Sequence, residues 1–128
     1  MGYYIEMKES TVKIKKENYN NVIKSLKERT RQRTTEIMFV YADDILDSYG
    51  IEEAMEAIRY PISLEDDYCH IDYFSGEKLG DDLEIFSVIA PFVEDGHIEY
   101  VGEDNENWRY LFKNGTVKEI FPEVIWED

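Results

Sequence analysis

The chain has 128 residues, 43% of them hydrophobic, and 29 Asp/Glu against 14 Lys/Arg give it a formal net charge of −15. That hydrophobic content excludes a disordered chain, the length sets one domain as the expectation, and the charge opposes direct binding to nucleic acid or an anionic membrane. A single cysteine, Cys69, excludes an intrachain disulfide. The start lacks the basic and apolar regions of a leader, and no apolar run approaches the roughly 18 residues of a membrane span, so the reading is a protein of the reducing cytoplasm.

Taken in chain order, Tyr3, Ile5 and Met7 alternate with Tyr4, Glu6 and Lys8, and Val12 and Ile14 alternate with Lys13 and Lys15. This predicts one bent strand or a hairpin. Asn18 is a good N-cap, and Tyr19, Val22, Ile23 and Leu26 form one helical stripe before a polar loop at 30–35. Residues 37–41 are apolar and fit strand or helix. Residues 42–50 predict a helix that Gly50 caps. Ile51, Ala54, Met55 and Ile58 make a second stripe that Pro61 stops. Short strands follow at 62–64 and 68–74, with a turn at Ser75-Gly76. A helix starts at Gly80-Asp81-Asp82, with Leu83, Phe86, Ile89 and Val93 along one side and Pro91 near its end. The last third reads as an antiparallel meander: Ile98 and Tyr100 on one face, then Trp108, Tyr110 and Phe112, a hairpin turn at Asn114-Gly115, and a return strand that Pro122 ends before Ile125 and Trp126. The expected fold is a single-domain α+β architecture. It has a twisted, mainly antiparallel sheet of five or six strands, with three or four helices packed on one face.

The charge is divided along the chain. Residues 1–33 hold nine Lys/Arg and four Asp/Glu, whereas residues 34–128 hold five and twenty-five. Acidic groups recur at Asp43-Asp44, Glu52-Glu53, Glu65-Asp66-Asp67, Asp81-Asp82, Glu94-Asp95 and Glu103-Asp104. Carboxylates held on a rigid surface can stand in for the phosphates of a duplex and dock in a Lys/Arg groove, with binding that weakens steeply in salt. The expected partner-binding residues are Asp43, Asp44, Asp47, Glu52, Glu53 and Glu56, which two short helices would hold, followed by Glu65, Asp66 and Asp67. The plainer reading is a solvated surface with carboxylates at helix starts. Lys24, Lys27, Arg29, Arg31 and Arg33 form a basic segment with no aromatic interleaved from 28 to 35 to stack bases. They are expected to pair with the chain's own carboxylates or a second subunit.

Other chemistry is sparse. His70-Ile-Asp72 and His97-Ile-Glu99 each place a His and an acid on one strand face, and would make a divalent metal site if those strands met. The simpler reading is two surface histidines beside acids. Cys69 and His70 point to opposite strand faces, so a buried, inert thiol is expected rather than a nucleophile–base pair. No phosphate-cradling loop, dinucleotide fingerprint or nucleophile elbow is present, Glu103-Asp-Asn-Glu-Asn107 lacks the ligand spacing of a calcium loop, and no cofactor is expected. Trp108, Tyr110 and Phe112 read as the sheet's buried side. They become an interface platform only if the helix stripes at Leu26, Met55 and Phe86 leave Trp108 uncovered.

The C-terminal half carries a resemblance. Residues 74–82 (FSGEKLGDD), 89–96 (IAPFVEDG), 100–104 (YVGED), 108–115 (WRYLFKNG), 117–119 (VKE) and Trp126 together resemble a module of short uncharacterised bacterial and phage proteins. That module carries no reaction, ligand or catalytic residue to transfer. The resemblance implies a mobile-element origin and a strand-turn-strand ending.

The sequence therefore reads as a non-enzymatic, cytoplasmic acidic protein. It would be a phage or mobile-element inhibitor that blocks a basic nucleic-acid-binding partner, such as a host defence nuclease, by nucleic-acid mimicry. The alternatives are an immunity or antitoxin protein covering a basic toxin, a metal-dependent enzyme built on the His70/Asp72 and His97/Glu99 pairs, and a homodimer joining the basic start to the acidic body.

Overall fold

Strand β1 (Ile5–Ser10) and strand β2 (Lys13–Lys15) follow one another without a turn, yet they enter different sheets. The exchange occurs at two consecutive residues. The Thr11 amide donates to the His97 carbonyl, while the Val12 carbonyl accepts from the Ile71 amide. The expected single strand or hairpin is thus two strands, and the expected single sheet is two, of four and three strands. Period-two alternation reports which face a strand buries. It says nothing of which strand lies beside it. The α+β class holds. The computed structural model describes residues 4–32 and 36–123, so the expectations at Tyr3, Arg33, Ile125 and Trp126 lie outside the described residues.

After a 3-10 turn, α1 (Tyr19–Gln32) buries Val22 and Leu26 and holds residues 30–32 of the segment expected as a loop, whose residues 33–35 lie outside the described residues. The Thr30 hydroxyl donates to the Leu26 carbonyl one turn back, which lets a β-branched polar residue stay helical. The apolar run at 37–41 is neither helix nor strand. It is a turn that buries Ile37 and Val40. Helix α2 (Ala42–Leu46) and helix α3 (Ile51–Ala57) follow. Gly50 is not a C-cap. It has φ −143° and precedes α3 as its N-cap. Ile51, Ala54, Met55 and Ile58 are all buried, as their spacing predicts.

Strands β3 (Ile62–Glu65) and β4 (Tyr68–Ile71) complete the smaller sheet in the order β2-β4-β3. Helix α4 (Asp82–Ile89) then leads through a 3-10 turn holding Pro91 into β5 (Gly96–Gly102), β6 (Asn107–Lys113) and β7 (Thr116–Ile120). The larger sheet is antiparallel throughout, in the order β1-β5-β6-β7. Asn114 (φ 52°) and Gly115 (φ 78°) supply the two left-handed residues that a tight hairpin turn needs. Among the described residues, no helix is long and apolar enough to cross a membrane.

The larger sheet turns Ile98, Tyr100, Trp108, Tyr110 and Phe112 inward against α4. The Phe86 ring meets those of Tyr60, Tyr110 and Phe112 at centroid distances of 4.7, 6.0 and 5.4 Å. Trp108 is 8% exposed and stacks on Tyr100, so the aromatic face is core and not a platform.

A carboxylate sits inside this core. Asp82, the first residue of α4, is 1% exposed. Its carboxylate accepts from Arg59 Nη2, from the Tyr60 hydroxyl and from the Gly80 amide, each at 2.7 Å. The Tyr60 and Tyr100 hydroxyls share a further 2.7 Å hydrogen bond, and burial pushes both phenols well above their ordinary pKa. Arg59 has φ 76°, a costly conformation for a non-glycine residue. Its guanidinium donates to the Lys78 carbonyl and lies over the rings of Phe39 (5.0 Å to the centroid) and Phe74 (5.1 Å). A Cβ on Gly76 would stand 2.6 Å from Arg59 Nη1, so the glycine makes room for this side chain. Asp82→Ala would leave a buried cation and a buried hydroxyl without their acceptor. It should cost about 3–5 kcal/mol in a urea titration; a loss below about 1 kcal/mol would contradict this account of the core.

Candidate functional site

The acidic groups separate into those the fold uses internally and those it leaves outside. Asp82 is buried as described, and Asp81, half-buried, accepts from the Met38 amide (2.9 Å), so both acids of the expected pair Asp81-Asp82 are engaged by the fold. Asp95 accepts from the Asn114 amide (3.0 Å), Glu94 pairs with Lys15 (3.5 Å), and Glu84 pairs with Arg29. The basic segment does meet the chain's own carboxylates at Arg29. Lys27 instead donates to the Ser48 carbonyl at 2.7 Å.

The outer face of the larger sheet mixes signs. Glu9 and Glu99 stand directly opposite each other, which alone would repel. A bulge at Lys8 and the side chain of Arg109 compensate: Lys8 Nζ lies 3.3 Å from Glu99, and Arg109 Nε donates to Glu99 at 2.7 Å. The Arg109 hydrogen bond holds the Glu99 carboxyl below the usual range, against burial, which raises it, with Lys8 assisting.

Of the nine residues expected to bind a partner, six share one region. Asp43, Asp44 and Asp47 lie on the exposed side of α2 and its C-cap, opposite buried Ile45. Glu52, Glu53 and Glu56 lie on the exposed side of α3, opposite Ile51, Ala54 and Met55. The corner between the helices is fixed. The Ser48 hydroxyl donates to the Ile45 carbonyl (2.7 Å), the Ser48 carbonyl takes Lys27, and the Tyr49 amide donates to Glu53 (3.3 Å). Residues 36–58 hold seven Asp/Glu and no Lys or Arg. Among the described residues, none of the six carboxylates forms an ion pair. Tyr41 and Tyr49 stand beside them, 79% and 92% exposed.

The other three lie elsewhere, at the turn between β3 and β4, where Asp66 takes φ 50°. Glu65 pairs with His70 at 3.3 Å, the Asp67 carbonyl accepts from the Lys16 amide at 2.7 Å, and Lys15, Lys16, Glu17, Asp67 and Tyr68 line a shallow depression of about 510 Å³. This surface is mixed in charge, because the lysines come from a strand and turn distant in sequence.

The two histidine pairs are not brought together. His70 is on β4 in the smaller sheet and His97 on β5 in the larger. Asp72 accepts from the Ser63 hydroxyl (2.7 Å), His97 lies 3.7 Å from Glu9, and Glu99 is held by Lys8 and Arg109. Among the described residues, no three His, Cys, Asp or Glu side chains are grouped to hold a metal. Cys69 is fully buried, and burial pushes its thiol up to about 11, outweighing the lowering effect of Tyr19 and of backbone hydrogen bonds.

The chain matches no family model, no curated protein and no solved structure.

Two outcomes follow from these environments. A thiol reagent at pH 8 should leave the folded protein unlabelled and modify one cysteine per chain in guanidinium; fast native labelling would contradict the burial of Cys69. Glu99→Gln should cost about 1–2 kcal/mol at pH 7. Because the folded carboxyl titrates lower than the unfolded one, that stabilisation is complete above the unfolded pKa and is lost as pH falls through the folded one. The gap between wild type and variant should therefore close in acid; a gap that persists at pH 2 would show that Glu99 acts by packing instead.

Proposed function

We propose that this protein is a non-enzymatic binding protein that docks a basic partner through the outer sides of α2 and α3. The observation that carries this reading is where two of the six carboxylates stand. Asp43, Asp44, Glu52 and Glu53 occupy the first turns of their helices, where the helix dipole favours negative charge, so they need no function. Asp47 and Glu56 do not share that explanation. Asp47 is the C-cap of α2 and Glu56 lies in the last turn of α3, the ends where a cation is favoured, and neither helix has a basic residue there. Each also sits one turn from another carboxylate, Asp43 and Glu52 respectively, which adds repulsion of a few tenths of a kcal/mol per pair. A surface needed only for solubility has no reason to carry charge at these positions. A surface that receives arginines and lysines does, because the partner's cations relieve both costs on docking.

The finer reading is inhibition by mimicry. Carboxylates repeating at one-turn intervals on two fixed helices present negative charge to a groove that otherwise takes a phosphate backbone, so the partner is a nucleic-acid-binding protein. The likeness of the C-terminal half to bacterial and phage modules favours a host defence protein in that role.

The test is capture from a native host extract at low ionic strength, with elution in rising salt, using wild type and the double variant Asp47→Asn/Glu56→Gln. The wild type should retain a basic nucleic-acid-binding protein that elutes with salt. The variant should be more stable than wild type by about 0.5–1 kcal/mol and should capture less. A variant that is stabilised but captures the same protein equally well would overturn the docking surface, and a wild type that retains no basic protein would overturn the function.

A further inference from the structure

We infer that the partner's contact segment is arginine-rich rather than merely basic, and that Tyr41 and Tyr49 are the anchors that make this distinction; the inference rests on the docking surface proposed above. Both rings are almost fully in solvent, and they bracket α2, Tyr41 as its N-cap and Tyr49 beyond its C-cap. Neither ring nor hydroxyl has a partner among the described residues, although the backbone of each is engaged: the Tyr41 carbonyl accepts from the Asp44 amide, and the Tyr49 amide donates to Glu53.

An aromatic ring exposed to this degree covers no core. What it offers is a stiff, flat face in a stretch of chain rich in exposed carboxylates: Asp43 and Asp44 follow Tyr41 in sequence, Asp47 precedes Tyr49, and Glu53 accepts from the Tyr49 amide. Exposed tyrosines are also the residues that concentrate binding energy at protein interfaces. The flat, weakly hydrated guanidinium of arginine stacks on such a face while its N–H fork bonds a carboxylate, whereas the compact, strongly hydrated lysine ammonium suits that pair of contacts less well. The molecule already contains this combination in closed form. Arg59 lies over the Phe39 and Phe74 rings, 5.0 and 5.1 Å from their centroids, while donating to Asp82, and its environment is aromatic face plus carboxylate. At Tyr41 and Tyr49 the face and the acids are present with the cation left to come from outside.

The experiment is calorimetric titration at low ionic strength with two probes, nona-arginine and nona-lysine peptides. Wild type should bind nona-arginine about five- to tenfold more tightly than nona-lysine. The double variant Tyr41→Ala/Tyr49→Ala should lose that preference, because it gives up more affinity for nona-arginine than for nona-lysine, and Tyr41→Phe/Tyr49→Phe should retain it. Both rings lie outside the core, so an unchanged thermal transition verifies that the variants are folded. A tyrosine-to-alanine variant that keeps the arginine preference would overturn this inference and leave the docking surface standing. Failure of wild type to bind either peptide would overturn the docking surface itself.

Discussion

The carboxylate of Asp82 is the constraint on which the rest of the molecule depends. It accepts from three donors, Arg59 and Tyr60 after α3 and the Gly80 amide before α4, and through Tyr60 it reaches the Tyr100 hydroxyl of β5. Removing a carboxylate and a guanidinium from water is favourable only when the geometry is good and the remaining hydrogen bonds are made. Those of the carboxylate are made, whereas Arg59 bonds through Nη1 and Nη2 and its Nε has no partner among the described residues; the arrangement also holds Arg59 in a left-handed conformation close to Phe39 and Phe74. The end of α3, the turn before α2 and the start of α4 are consequently locked to the larger sheet. The proposed docking surface, on two helices of five and seven residues, needs that support, because helices so short are not stable alone.

The same economy of cations shapes the exterior. Lys8 and Arg109 are engaged with Glu99, Lys15 with Glu94, Arg29 with Glu84, and Arg59 with Asp82. With these basic groups paired elsewhere, the exposed sides of α2 and α3 carry carboxylates and tyrosines of their own, with Lys27 of α1 bound to the Ser48 carbonyl at their corner. Negative charge on this protein is therefore uneven. It is interleaved with cations on the sheet and at the β3–β4 turn, and uninterrupted along residues 36–58.

Much of the fold was legible from spacing. The stripes Val22/Leu26 and Ile51/Ala54/Met55/Ile58, the inward face Trp108/Tyr110/Phe112 and the Asn114-Gly115 turn follow from periods of 3.6 and two and from the left-handed preference of Asn-Gly. The division into two sheets was not, since it depends on hydrogen bonds from Thr11 and Val12 to residues far along the chain. Gly50 misled because glycine is accepted both after and before a helix. Asp82 had a signal that a reading of paired acids passes over. It stands on one stripe with Ile85, Phe86 and Ile89, which places a carboxylate on the buried side of α4. At the candidate site, the absence of any Lys or Arg between Arg33 and Arg59 was visible directly. The lysines that neighbour Asp67 were not, because β2 and the turn after it pair with β4 from a distant part of the sequence.

The central claim is that α2 and α3 form a distinct receiving surface within a generally acidic protein. Carboxyl footprinting tests it most directly: activated-ester labelling with and without nona-arginine, read by mass spectrometry at each Asp and Glu. The account predicts protection at Asp43, Asp44, Asp47, Glu52, Glu53 and Glu56, with the exposed acids Glu103, Asp104 and Glu106 labelled equally in both samples. Protection spread evenly over both sets, or centred on Glu103–Glu106, would contradict it.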